Sequence, residues 1–220
     1  MGKSQVRIEV RGAKLEGELE LPPQAAGLVL FAHGSGSSRH SPRNQFVAGT
    51  LRETGVGTLL FDLLTPAEEK EEAQTRHLRF NIELLSERLV HATRWAWNFA
   101  SNRDLRTGYF GSSTGAAAAL MAAAELGGMI TAVVSRGGRP DLAGDALGRV
   151  RAATLLIVGG EDHPVIPLNE EAYARLRGEK ALRIVPSASH LFEEPGALEL
   201  VARMAAEWFA EHLQPFTAHR

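Results

Sequence analysis

Three residues sit just beyond strand-like apolar runs, and their types suit nucleophilic chemistry at a carbonyl. Gly111-Ser112-Ser113-Thr114-Gly115 follows Thr107-Gly108-Tyr109-Phe110 and leads into Ala116-Ala117-Ala118-Ala119-Leu120, a strong helix former. G-x-S-x-G between a strand and a helix is a nucleophile elbow, a strained turn that lifts a serine hydroxyl clear of a sheet. Side chains two residues either side of Ser113 would collide there, hence Gly111 and Gly115. A serine hydroxyl also needs a general base, and the base needs an orienting carboxylate. Gly159-Gly160-Glu161-Asp162-His163 ends a later apolar run. Asp162 is the expected orienter and Glu161 its rival. His190, in Pro186-Ser187-Ala188-Ser189-His190, completes the order Ser, Asp, His on three carboxyl-end loops.

A developing oxyanion needs two fixed N–H donors. One normally belongs to the residue after the nucleophile, here Thr114. The other comes from the loop His33-Gly34-Ser35-Gly36-Ser37-Ser38, where Ser35 is nominated. That loop lacks the Lys-Ser/Thr ending of a phosphate-binding loop. Arg39, Arg43, Arg136 and Arg139 occupy carboxyl-end loops. Arg39 and Arg136 are the candidate substrate contacts, pairing with an anionic acyl group; the alternative is bonding to local carbonyls or Asp141. His40, His77 and His91 have no metal-ligand spacing, and neither metal nor cofactor is expected.

The elements that must position these residues are legible from hydrophobic periodicity. Val6–Val10 and Leu15–Leu21 alternate apolar with polar, predicting an antiparallel hairpin with one buried face. Gly27–Ala32, Thr58–Phe61, Tyr109-Phe110, Thr131–Val134, Thr154–Val158 and Leu182–Val185 are short apolar runs of the kind covered by helices on both faces. Helices are expected over about Arg43–Thr54, Arg76–Ala100, Thr114–Leu126, Asn169–Leu176 and Pro195–Leu213. The acidic run Thr65–Gln74 reads as a solvated excursion or the first turn of the long helix. Trp95, Trp97, Phe99 and Trp208 read as core anchors. The alternation predicts an α/β fold: a mostly parallel sheet entered through an antiparallel N-terminal edge.

The 220 residues suit one domain, residues 1–220. Net charge is −2, from 24 Lys plus Arg against 26 Asp plus Glu, which argues against a nucleic-acid partner. The chain has no Cys, which excludes thiolate nucleophiles and Cys-ligated metals and suits a reducing compartment. Met-Gly-Lys-Ser-Gln-Val carries no apolar leader, and no stretch is long enough to cross a membrane, so a cytoplasmic location is expected.

Phe31-Ala32-His33-Gly34-Ser35-Gly36, Gly111-Ser112-Ser113-Thr114-Gly115, Gly159-Gly160-Glu161-Asp162 and Ser189-His190-Leu191-Phe192, in this order, resemble an α/β-hydrolase of the dienelactone hydrolase-like family. The resemblance spans nearly the whole chain. It implies an eight-stranded sheet with little or no lid, the connection Ser135–Asp141 being short. It also implies hydrolysis of a small ester or lactone through an acyl-enzyme, with Ser113 as nucleophile, His190 as base and Asp162 as orienter. Dienelactone hydrolase proper has cysteine at the elbow, where this chain has Ser113, so dienelactone itself is not the expected substrate. Two alternatives stay open: a non-catalytic binding protein with this fold, and an acyltransferase using the same residues.

Overall fold

A computed structural model of the chain describes residues 2–99 and 105–214. The sheet has eight strands: β1 (Ser4–Val10), β2 (Ala13–Glu20), β3 (Gly27–Ala32), β4 (Gly57–Phe61), β5 (Arg106–Ser112), β6 (Ile130–Arg136), β7 (Ala153–Gly159) and β8 (Lys180–Val185). Their spatial order is β1-β2-β4-β3-β5-β6-β7-β8. β2 pairs antiparallel with β1 and β4, and every later pairing is parallel. This is the α/β-hydrolase fold, with the N-terminal hairpin as its antiparallel edge.

Among the described residues six α-helices cover the sheet: α1 (Pro42–Glu53), α2 (Pro66–Thr75), α3 (Ile82–Asn98), α4 (Thr114–Leu126), α5 (Ile166–Arg175) and α6 (Ala197–His212). Strand alternation divides the core in two. In β3, Leu28, Leu30 and Ala32 face α3 and α4, while Val29 and Phe31 face α1 and α6. All six residues of β3 are buried, as a strand covered on both faces requires. Trp95, Trp97 and Phe99 pack on the first core and Trp208 on the second. The β6–β7 connection, 3-10 turns over Pro140–Arg149, packs its Ala143 and Leu147 into the first core and adds no lid domain.

The long helix does not begin at Arg76. It begins at Ile82, capped by the Asn81 side chain, and the expected end at Ala100 lies outside the described residues. The acidic run is a helix in its own right. Thr65 and Glu68 form a reciprocal capping box with Pro66 in the first turn, and Arg76, at φ 57°, ends the helix. That signature was present in Thr65-Pro66-Ala67-Glu68, beneath the more conspicuous charge. Two ion pairs then hold α2 down. Glu68 receives Arg88 at 2.7 and 2.5 Å, and Arg88 also donates to the Leu63 carbonyl at 2.6 Å. Glu72, 4% exposed, accepts from the Leu78 amide at 2.7 Å and from the Arg79 guanidinium.

The Arg88 hydrogen bonds hold the Glu68 carboxyl down to about 2, against an ordinary 4.5. A depressed carboxylate contributes stability fully above its unfolded value and loses it as pH falls through the folded one. Acid titration followed by circular dichroism should therefore show Glu68-dependent loss of stability between about pH 4.5 and 2. Glu68→Gln should be less stable than the parent at pH 7, with the gap closing across that window.

Candidate active site

The site stands at the carboxyl ends of β3, β5, β6 and β7. Ser113 adopts φ 51°, ψ −124°, a conformation costing on the order of 1–3 kcal/mol for a residue with a side chain. Its neighbours hold it there. The Ser113 amide donates to the Arg136 carbonyl at 3.4 Å, and the Ser113 carbonyl accepts from the amides of Ala116 and Arg139, both at 3.1 Å. A Cβ at position 115 would stand 2.1 Å from the Ala32 carbonyl oxygen, and one at position 111 would stand 2.5 Å from Ala116 Cα. Both glycines thus meet the crowding that the motif predicts.

Asp162 and His190 meet as expected. Asp162 is 9% exposed, and its Oδ2 lies 2.7 Å from His190 Nδ1. With that proton donated to the carboxylate, Nε2 keeps a free lone pair. Glu161 points away and lies 3.5 Å from His163 in an exposed pair. The His190 loop closes over Gly137, where an added Cβ would stand 3.0 Å from the His190 carbonyl oxygen. Among the described residues Ser113 Oγ makes no hydrogen bond.

The β3 loop lies directly against the elbow. A Cβ at position 34 would be 3.0 Å from Ser113 Cβ, and Ser35 Oγ is 3.2 Å from Thr114 Oγ1. Among the described residues neither the Ser35 nor the Thr114 backbone N–H has a hydrogen-bond acceptor. For Thr114 this follows from its place in the first turn of α4.

Two further residues shape this loop and went unassigned from sequence. His33, buried, accepts from the Leu63 amide at Nε2 (3.0 Å) and lies 3.0 Å from the Gly34 carbonyl at Nδ1. Burial pushes its pKa down, so it stays neutral and pins the β3 loop to the β4 loop. Asp62 accepts the Arg39 amide at 2.8 Å and pairs with the Arg39 guanidinium. The available signal was an aspartate directly after the buried run Thr58–Phe61.

The arginines divide accordingly. Arg39 is committed to Asp62, Arg43 bonds Glu193 at 3.0 Å, and Arg139 holds Asp141 through bonds of 2.9 and 2.8 Å. Arg136 differs: it is 7% exposed, and among the described residues its Nε and Nη1 have no partner. Burial, with Arg43 nearby, pushes its pKa down to about 10, so it remains charged at neutral pH. Among the described residues the grouping of carboxylates and imidazole that could hold a metal, Glu179, Glu211 and His212, includes no residue of this site.

Dienelactone hydrolase from Anabaena variabilis superimposes with a TM-score of 0.95 at 57% identity, over 96% of this chain and 98% of that one. The chain belongs to the dienelactone hydrolase-like family of α/β-hydrolases. Est1E from Butyrivibrio proteoclasticus (TM-score 0.78, 18% identity, 94% of this chain and 98% of that one) shares the fold. So does the esterase domain of a Rhodothermus marinus protein (0.75, 20%, 97% and 100%). No family model matches the chain. Among curated proteins, a Mycobacterium tuberculosis protein in strains CDC 1551 and H37Rv is 53% identical over 209 residues; it is provisionally named a phosphoribosyl transferase. Those residues are 95% of this chain and 46% of the relative, so the chain spans about half the relative's length.

If Asp62 sets the β3 loop, Asp62→Asn should release it. Amide exchange at residues 35–41 should rise about tenfold to a hundredfold, the worth of charge-assisted hydrogen bonds. Exchange in β7 should not change. Mass-spectrometric hydrogen exchange measures both.

Proposed function

We propose that the 220 residues form one serine hydrolase domain acting on small carboxylic esters or lactones in the cytoplasm. The observation that carries this reading is the 2.7 Å contact between Asp162 Oδ2 and His190 Nδ1, on loops beside a serine in a strained elbow. His190 Nε2 takes the Ser113 proton as Oγ attacks the ester carbonyl, while the Ser35 and Thr114 amides receive the oxyanion. Nε2 then protonates the departing alcohol. Water, deprotonated by the same nitrogen, releases the acid and restores Ser113. The identity of 57% to a protein called dienelactone hydrolase supports hydrolysis. The provisional phosphoribosyl transferase name belongs to proteins of which this chain matches less than half, and the parts assembled here are those of acyl chemistry.

A fluorophosphonate probe should label the wild type and not Ser113→Ala, and a p-nitrophenyl ester assay should lose about a millionfold of kcat with that variant. Ser112→Ala should stay active. Asp162→Asn should lower kcat by up to about ten-thousandfold, against about tenfold or less for Glu161→Gln. The opposite ranking would move the orienting role to Glu161, and an unlabelled wild type would favour a binding protein.

Substrate contact falls to Arg136 rather than Arg39, because Arg39 already has its carboxylate. An unpaired buried guanidinium is costly until an anion reaches it. The enzyme should therefore prefer esters carrying a carboxylate over neutral esters of equal length. Arg136→Ala should raise KM for the anionic ester by about tenfold to a hundredfold, with Arg39→Ala losing loop order instead. Equal kcat/KM for both esters in the wild type would remove this role.

A further inference from the structure

Away from the catalytic loops, at the amino ends of the neighbouring strands β6, β7 and β8, three connections converge on a cavity of about 850 Å³ that opens to solvent. Residues 126–128 lead from it into β6, 148–151 into β7 and 177–178 into β8. Its volume is that of a small-molecule site. Strands of six or seven residues, about 20 Å at the usual rise per residue, separate it from the loops that carry Ser113, Asp162 and His190.

The charge of this cavity is one-sided. Arg149, Arg151 and Arg177 line it, and all three are exposed. Among the described residues Arg151 and Arg177 make no hydrogen bond or ion pair, and Arg149 reaches only the Asp145 carbonyl, at 3.5 Å. The Asp145 carboxylate is taken by Arg175 at 3.0 Å. Glu125, the acidic residue of the lining, is paired with Arg94 at 3.3 Å, and Glu179, just beyond Gly178, turns to His212 at 3.2 Å. Helix α4 ends here and contributes about half a negative charge, which cannot balance three guanidiniums.

The backbone of the cavity is also bare. Gly128 and Gly148 lie outside the left-handed region, and a Cβ built on either would meet nothing within 4 Å. Neither conformation nor crowding requires glycine there, although glycine weakens local order. Its effect at both positions is to let a ligand approach the backbone closely.

We infer that this cavity is a second binding site, separate from the hydrolase centre, and that it takes a small molecule bearing a diphosphate group. Guanidiniums match phosphate oxygens through paired N–H bonds, and three around one cavity suit two linked phosphates better than one. A concave site of this volume with bare backbone in its wall fits a small molecule rather than an acidic protein surface.

Calorimetry on the full chain with metal-free pyrophosphate, ADP and orthophosphate tests the site, whether or not Ser113 proves to be a nucleophile. Pyrophosphate or ADP should bind once per chain and about tenfold or more tighter than orthophosphate. Tighter ADP would mean that the organic part also contacts the cavity, and tighter pyrophosphate that the diphosphate alone is recognised; both results uphold the site. Arg151→Gln and Arg177→Gln, changes at exposed positions, should each weaken binding about tenfold, and together about a hundredfold. Gly128→Leu and Gly148→Leu should weaken it about tenfold with every arginine in place, because the new side chain enters the cavity. No saturable binding of either diphosphate to the wild type, equal binding of orthophosphate, or binding that survives the double arginine change would overturn the inference. Unchanged binding in both leucine variants would reduce the cavity to diffuse surface charge and overturn it as well.

Discussion

The site depends on one close approach. The chain reverses at Ser113 so tightly that α4 begins against the carbonyl end of β3, with Gly115 lying where any side chain would strike the Ala32 oxygen. Such a turn persists only when the surrounding structure over-determines it. The sheet register does so: Ala32 stands beside Gly111, and Ser112 beside Arg136. The Arg136 carbonyl therefore meets the Ser113 amide, and the turn after β6 supplies the Arg139 amide to the Ser113 carbonyl. The run of alanines after Thr114 has the same cause, since small side chains let α4 sit close on the sheet.

Around that contact, charge is used mainly to hold loops. Arg39 with Asp62 secures the β3 loop to the end of β4, Arg88 with Glu68 secures α2 to α3, and Glu72 takes both Arg79 and the Leu78 amide. Each pair lies partly or wholly out of water, where losing one partner strands the other. Arg136 and Glu69 differ: among the described residues the buried Nε and Nη1 of Arg136 have no partner, and the Glu69 side chain makes no hydrogen bond or ion pair. Arg136 ends β6 next to the turn that carries Gly137 against His190, and Glu69 belongs to α2.

Family membership and length bear on different questions. The match to the Anabaena variabilis enzyme runs across nearly all of both chains, so the scaffold and its loops correspond throughout. The likeness to esterases below 25% identity reflects the fold alone. The mycobacterial relatives are about twice as long as the shared segment, so their name describes a protein with more in it than this fold.

Sequence by itself determined most of the elements and marked the loops that carry the candidate site. Strand-like apolar runs with reactive residues just beyond them identify a parallel sheet and the loops at its carboxyl ends, because burial of both strand faces is written into composition. Glycines two residues either side of Ser113 identify the elbow, because backbone crowding there is local. The acidic run was misjudged because charge suggested solvent, whereas the capping residues Thr65 and Glu68 and the distant Arg88 make it a seated helix. Only tertiary structure could show that Asp162, and not Glu161, meets His190, since adjacent residues on a turn point in different directions and sequence carries no side-chain direction. It alone distinguished Arg39 from Arg136, which look alike in sequence, because pairing depends on which carboxylate the fold brings within reach.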